Sequence, residues 1–207
     1  MVAARFRSMG FAVAAVAAVV LALTLAACSP GSPKFKNTDI TGVPYARGFE
    51  LTDQNGQRRK LAGFRGKVVS IFFGYTQCPD VCPTTLAEMK EVREKLGPEA
   101  SRLQVVFITV DPERDTPALL KNYLAAFDPS FIGLTGTPEE IAAVAKDFKV
   151  FYEKVPGKNP GEYTMNHTAG SYVYDASGHI RLFVRHGQGP EVLAGDLKTL
   201  LEEKPSS

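Results

Sequence analysis

Apolar and polar positions divide the chain into three regimes. Residues 9–27 form an almost unbroken run of mostly Ala, Val and Leu, introduced by Arg5 and Arg7. Residues 29–37 are small, polar and interrupted by Pro30 and Pro33, the composition of a flexible tether. The remainder alternates short apolar runs with amphipathic periods, as a folded domain does. Residues 49–52 and 57–61 flank Asp53-Gln54-Asn55-Gly56, which predicts an opening hairpin with an Asn-Gly turn. Residues 67–75 (KVVSIFFGY) and 103–110 (LQVVFITV) are near-continuous Val, Ile and Phe runs, the mark of strands buried on both faces.

Between those runs, Leu86, Met89, Val92 and Leu96 recur at helical spacing from Pro83 onward, giving a β-α-β unit with a right-handed crossover. Thr116-Pro117 and Thr137-Pro138-Glu139-Glu140 each place a capping hydroxyl before a first-turn proline, and the second adds a capping box. Residues 171–175 and 179–185 predict a C-terminal antiparallel hairpin, and a last helix is expected over 190–203. The order ββαβαβαββα points to an α/β fold: a thioredoxin-like sandwich with a mixed central sheet, helices on both faces and an N-terminal hairpin extension.

Composition narrows the class. The chain has 207 residues, 44% of them hydrophobic, with 24 basic and 22 acidic side chains, which excludes a disordered chain and gives no basic footprint for nucleic acid. Three cysteines are too few for a disulfide-stapled scaffold. The N-terminal run, however, is an address. A basic start before an apolar stretch reads as an export signal, and about 18 apolar residues are also enough for an uncleaved spanning anchor. Leu25-Ala26-Ala27-Cys28 ends the run and resembles a bacterial lipobox, implying cleavage before Cys28 and acylation of that residue. Acyl chains on one residue anchor a domain where a single chain would be marginal. A chance cysteine after a signal is the bland alternative. The expected organisation is a lipoprotein signal peptide over 1–27, a lipidated tether over 28–39 and the folded domain over 40–207, held outside the cytoplasm in the cell envelope. Without Arg5 and Arg7 the chain carries 22 basic and 22 acidic residues, so partners must be recognised by local features.

If Cys28 carries lipid, two thiols remain, Cys78 and Cys82, in Phe73-Gly74-Tyr75-Thr76-Gln77-Cys78-Pro79-Asp80-Val81-Cys82-Pro83. This segment leaves the first buried strand at its carboxyl end, where α/β sheets bind ligands. Pro83 predicts that the helix begins there, with Cys82 extended at its N-terminus and its pKa lowered by the helix dipole. A Cys-x3-Cys spacing outside a regular helix lets two sulfurs close a disulfide or chelate one ion; the bland reading is a buried structural pair. Among the histidines, His179 after the Ser177-Gly178 turn and His186 at the end of the hairpin read as ordinary surface residues. His167, in a polar loop before the hairpin, is the modestly better candidate. Asp111 and Asp115 read first as turn and cap residues, with shaping the site or docking a partner left open, and Asp80 reads either as a turn residue or as one that tunes the charge of the cysteines.

The strings FFGYTQCPDVCPTTL, DPERDTP and NHTAGSYVYDASG, in this order and at these separations, resemble the Sco/SenC family over about residues 40–203. The resemblance implies a membrane-tethered, thioredoxin-like copper protein that works in assembling the dinuclear copper centre of cytochrome c oxidase. It places the copper ligands on Cys78, Cys82 and His167. The donor chemistry agrees: thiolates suit Cu(I), imidazole also accommodates Cu(II), and no fourth ligand completes a structural zinc site. The partner implied is the copper-bearing oxidase subunit or another copper-receiving protein. A rival reading is a thiol–disulfide oxidoreductase that acts on cysteines of such a receiver, using Cys78 and Cys82 as a redox pair. Its weaknesses are the extra residue beyond Cys-x2-Cys and the lack of a proline in the 163–171 loop. Storage or copper-responsive signalling without delivery is a third.

Overall fold

In a computed structural model, residues 34–203 are described. Eight strands form one mixed sheet in the order β1-β10-β9-β4-β5-β6-β2-β3. They are β1 Thr38–Asp39, β2 Glu50–Asp53, β3 Arg58–Lys60, β4 Val68–Gly74, β5 Leu103–Thr109, β6 Ile132–Thr135, β9 Gly170–Tyr174 and β10 Ile180–Arg185. Strands β4, β5 and β6 run parallel, and the other pairings in this sheet are antiparallel. Strands β7 Tyr152–Pro156 and β8 Tyr163–His167 pair only with each other, forming a separate two-stranded arm. Four α-helices lie among the described residues: α1 Val81–Leu96, α2 Pro117–Ala125, α3 Pro138–Asp147 and α4 Pro190–Glu202.

The central strands are buried at every position, as their unbroken apolar runs predict. Alternate residues serve two cores. Phe72, Val105 and Phe107 pack under α1, α2 and α4 through Leu86, Met89, Leu120, Leu124, Leu193 and Leu197. Val69, Ile71, Phe73, Val106 and Ile108 face α3 and the segment around Phe49, Leu61 and Phe64. The chain is therefore a thioredoxin-like α/β sandwich with helices on both faces of a mixed sheet.

Local signals act where the sequence places them. Thr116 and Thr137 accept from the Leu119 and Glu140 amides, and the Glu140 carboxylate accepts in turn from the Thr137 amide, closing the capping box. The opening hairpin turns at Asp53, whose buried carboxylate accepts from the Asn55 and Gln57 amides and pairs with Arg59, while Gly56 takes φ +80°. At the N-terminal edge, Asp196 of α4 accepts from the Lys36 and Asn37 amides and the Asn37 side chain, so residues 36–39 lie on the domain. Cys28 lies outside the described residues. Among those residues no helix is long and apolar enough to cross a membrane.

Candidate metal centre

The two cysteines flank the turn between β4 and α1. Helix α1 begins at Val81, two residues earlier than Pro83 predicts. A proline in the first helical turn costs no hydrogen bond, because its missing N–H has no partner inside the helix. Cys82 is accordingly helical and faces inward. Its sulfur lies under Gly74 and Phe107: a Cβ on Gly74 would stand 2.6 Å from Cys82 Sγ and 2.8 Å from Phe107 Cε2. Cys78 sits on the loop, half-buried, and its sulfur accepts from the Cys82 amide at 3.4 Å. Both thiols are free.

His167 comes from the arm, at the last position of β8 rather than in a loop. Its Nδ1 is 3.1 Å from the Thr168 carbonyl, which can only accept, so Nδ1 carries the proton and Nε2 presents its lone pair. Nε2 lies 3.8 Å from Cys82 Sγ. Donor atoms of Cys78, Cys82 and His167 all fall within 4.8 Å of one another, the one such metal-capable trio among the described residues. Two soft sulfurs and one unprotonated imidazole nitrogen are a donor set suited to copper.

Burial sets the protonation of this trio. Cys82 is 1% exposed, and burial pushes its thiol far above the ordinary range, partly offset by a backbone hydrogen bond at Tyr75. The helix N-terminus, worth about 0.3–1 kcal/mol at the surface, loses to the cost of burying a thiolate. The expected low-pKa thiol is thus absent from the metal-free protein. Burial likewise depresses the His167 pKa, the Thr168 carbonyl opposing it, which keeps the imidazole neutral.

The segment 111–115 brackets the site. Asp115 is fully buried and accepts from Thr109 Oγ1 at 2.6 Å, Thr76 Oγ1 at 2.6 Å and the Thr76 amide at 3.0 Å, fixing the residue where the Cys loop begins. Asp111, also buried, pairs with Arg114 Nε and accepts from Tyr163 Oη at 2.8 Å. Arg114 Nη1 then donates to Gln77 Oε1 in the Cys loop and to the Tyr163 carbonyl in β8, each at 3.0 Å, while its guanidinium stacks 3.6 Å from the Tyr163 ring. Lys154 on β7 pairs with Glu113 at 2.6 Å. Arg114 thus joins the loop bearing Cys78 to the arm bearing His167; it falls within the DPERDTP string, but the sequence does not show which segments it contacts. Asp80 is exposed at the helix start and reaches only Thr84, a local turn contact. His179 is exposed beside Asp175. His186 is exposed, as expected from the sequence; it stands 3.3 Å from Thr85 Oγ1 and lines a cleft that reaches Cys82.

A thioredoxin-like sheet with two cysteines at the exit of its central strand and an imidazole brought to them by a separate arm defines a class of thiol-based metal- or redox-active domains. The chain belongs to the SCO1/SenC family, whose model matches residues 38–202. An SCO2-like protein of Rickettsia felis is 42% identical over 177 residues, spanning 84% of this chain and 86% of its own. The structure of Bradyrhizobium japonicum ScoI with copper bound is 49% identical and superposes with a TM-score of 0.68, covering 74% of this chain and 97% of that one. A SCO1/SenC family lipoprotein from Bacillus anthracis is 25% identical with a TM-score of 0.67, covering 82% and 100%.

Proposed function

We propose that this protein is a lipid-tethered, extracytoplasmic copper carrier that binds one copper ion through Cys78, Cys82 and His167 and delivers it to, or prepares, the dinuclear copper site of cytochrome c oxidase. The observation that carries the reading is the convergence of two sulfurs and one imidazole nitrogen within 4.8 Å at the sheet edge. Support comes from the copper held by the Bradyrhizobium relative. The lipobox-like run ending at Cys28 and the lipoprotein relative support a tether that starts at Cys28 and a place in the cell envelope; residues 36–39 of the tether expected from the sequence lie on the domain instead. Copper here is cargo. Three ligands and an open groove of about 350 Å³ beside Cys78, Tyr75 and Met165 leave room for a receiver's ligand to enter.

Binding displaces protons, because Cys82 holds its proton in the metal-free protein and must lose it to become a ligand. Anaerobic titration with Cu(I) against a chelator, beside Cys78→Ala, Cys82→Ala and His167→Ala, tests the site. One copper per chain, lost in either cysteine variant and weakened in the histidine variant, is expected. Bound copper should also block alkylation of both thiols. A second reading is favoured by the two free, adjacent thiols: a dithiol that reduces a disulfide in the copper-receiving protein. No competitive copper binding, with rapid reduction of a protein disulfide, would establish that reading instead.

A further inference from the structure

The trio opens on two sides. Cys78 and His167 line the open groove, whereas Cys82 and His167 line a separate, narrow cleft on which Cys78 does not border. That cleft encloses about 20 Å³, room for one water or one bare ion. Its walls include Thr85, Glu88, Met89 and His186. Cys82, Thr85 and Met89 follow one another along the inner face of α1, and Met89 is 2% exposed. Residues with a thioether, an imidazole and a carboxylate thus line the same cleft as Cys82, whose sulfur has Gly74 on another side.

His186 is held in the form a metal needs. Thr85 Oγ1 donates its single hydrogen to the Val81 carbonyl at 2.8 Å, the shorter of its two contacts. Toward His186 Nδ1 the hydroxyl can then only accept, so Nδ1 carries the proton and Nε2 keeps a free lone pair. A hydrogen bond on one ring nitrogen that frees the other for a metal is the usual support of a ligating histidine. His167 is held in the same tautomer by Thr168.

We propose that this cleft is a second, weaker copper(I) position, with His186 Nε2 as its outer ligand, from which copper passes to Cys82. The inference rests on the reading of Cys78, Cys82 and His167 as the copper centre. The passage is ligand exchange without change of oxidation state: the copper–sulfur bond to Cys82 forms as the bond to His186 breaks, and the Cys82 thiol proton leaves to solvent. The copper(I) arrives as a complex of a weak, exchangeable ligand such as a nitrile.

The test uses the full chain in detergent micelles, reduced and anaerobic, mixed rapidly with one equivalent of the copper(I)–acetonitrile complex while thiolate-to-copper absorption is followed. His186→Gln should load about tenfold more slowly, as expected when one donor is lost from the entry barrier, and reach the same final occupancy. Equal loading rates would overturn the proposal. Failure of the unaltered chain to load at all would overturn the copper centre itself, a different result. Independently, long-range 1H–15N NMR of the copper-loaded chain should show His186 Nε2 unprotonated and shifted by a second equivalent of copper(I). An Nε2-protonated ring that ignores added copper would equally refute the assignment.

Discussion

Gly74→Ala is the sharpest perturbation of the centre, because it adds one methyl group where two fixed atoms leave no room. The new Cβ would lie 2.6 Å from Cys82 Sγ and 2.8 Å from Phe107 Cε2. Comfortable contacts between such atoms are about 3.5–4.0 Å, so each neighbour must yield by roughly 1 Å. Phe107 is held by edge contacts with Phe72, at 5.1 Å between ring centroids, and with Tyr123, at 6.1 Å. The Phe107 backbone pairs with Phe72 and Gly133 in the sheet. The sulfur is the freer neighbour, and its displacement alters the spacing to His167 Nε2, now 3.8 Å. Overpacking of this kind costs about 1–3 kcal/mol. For a domain of this size that lowers Tm by roughly 2–12 °C. Thermal unfolding of the metal-free protein and chelator competition for Cu(I) should both register the change. Gly63→Ala, where a Cβ meets nothing within 4 Å, should move neither. Unchanged melting and unchanged copper affinity in Gly74→Ala would refute the confinement of Cys82 by Gly74 and Phe107.

Arg114→Ala removes the link between the Cys loop and the arm and leaves buried Asp111 without its cation; a loss of about 3 kcal/mol in stability is expected from breaking such a pair, measured by denaturant unfolding. Tyr163→Phe, which removes one hydrogen bond to Asp111, should cost about 1–3 kcal/mol in the same assay. The depressed pKa of His167 gives a defined pH signature. The unfolded chain binds the proton more readily, so the stabilisation is full above the ordinary histidine pKa of about 6.5 and is lost as pH falls toward the folded value. His167→Gln should therefore flatten the fall in Tm between pH 7 and 5. Asp196→Ala leaves three donors of residues 36 and 37 without their acceptor, and should free the N-terminal edge to proteolysis and lower stability by about 1–3 kcal/mol, read by limited digestion and unfolding.

Much of this was legible in the residues. Strands β4 and β5 announce themselves because a strand covered on both faces needs an unbroken apolar run, and α2 and α3 because Thr-Pro caps have one geometric use. The arm of β7 and β8 was not legible. Its residues are mostly exposed, only Met165 being buried, so burial imposes no alternation to read. His167 consequently looked like a loop residue, although its position in the chain relative to the cysteines was clear from the family resemblance. The protonation of Cys82 was hidden for another reason: a helix terminus is visible in sequence, whereas the packing of Gly74 and Phe107 over the sulfur is a tertiary fact. Arg114 belongs to the same category, because it acts through contacts with a segment dozens of residues away.

The central claim is tested most directly by X-ray absorption at the copper edge of the Cu(I)-loaded full chain, compared with His167→Ala. The account predicts a first shell of two sulfurs and one nitrogen, with the nitrogen lost or replaced in the variant. A shell without sulfur, or one identical in the two proteins, would contradict the assignment of Cys78, Cys82 and His167 as the copper ligands.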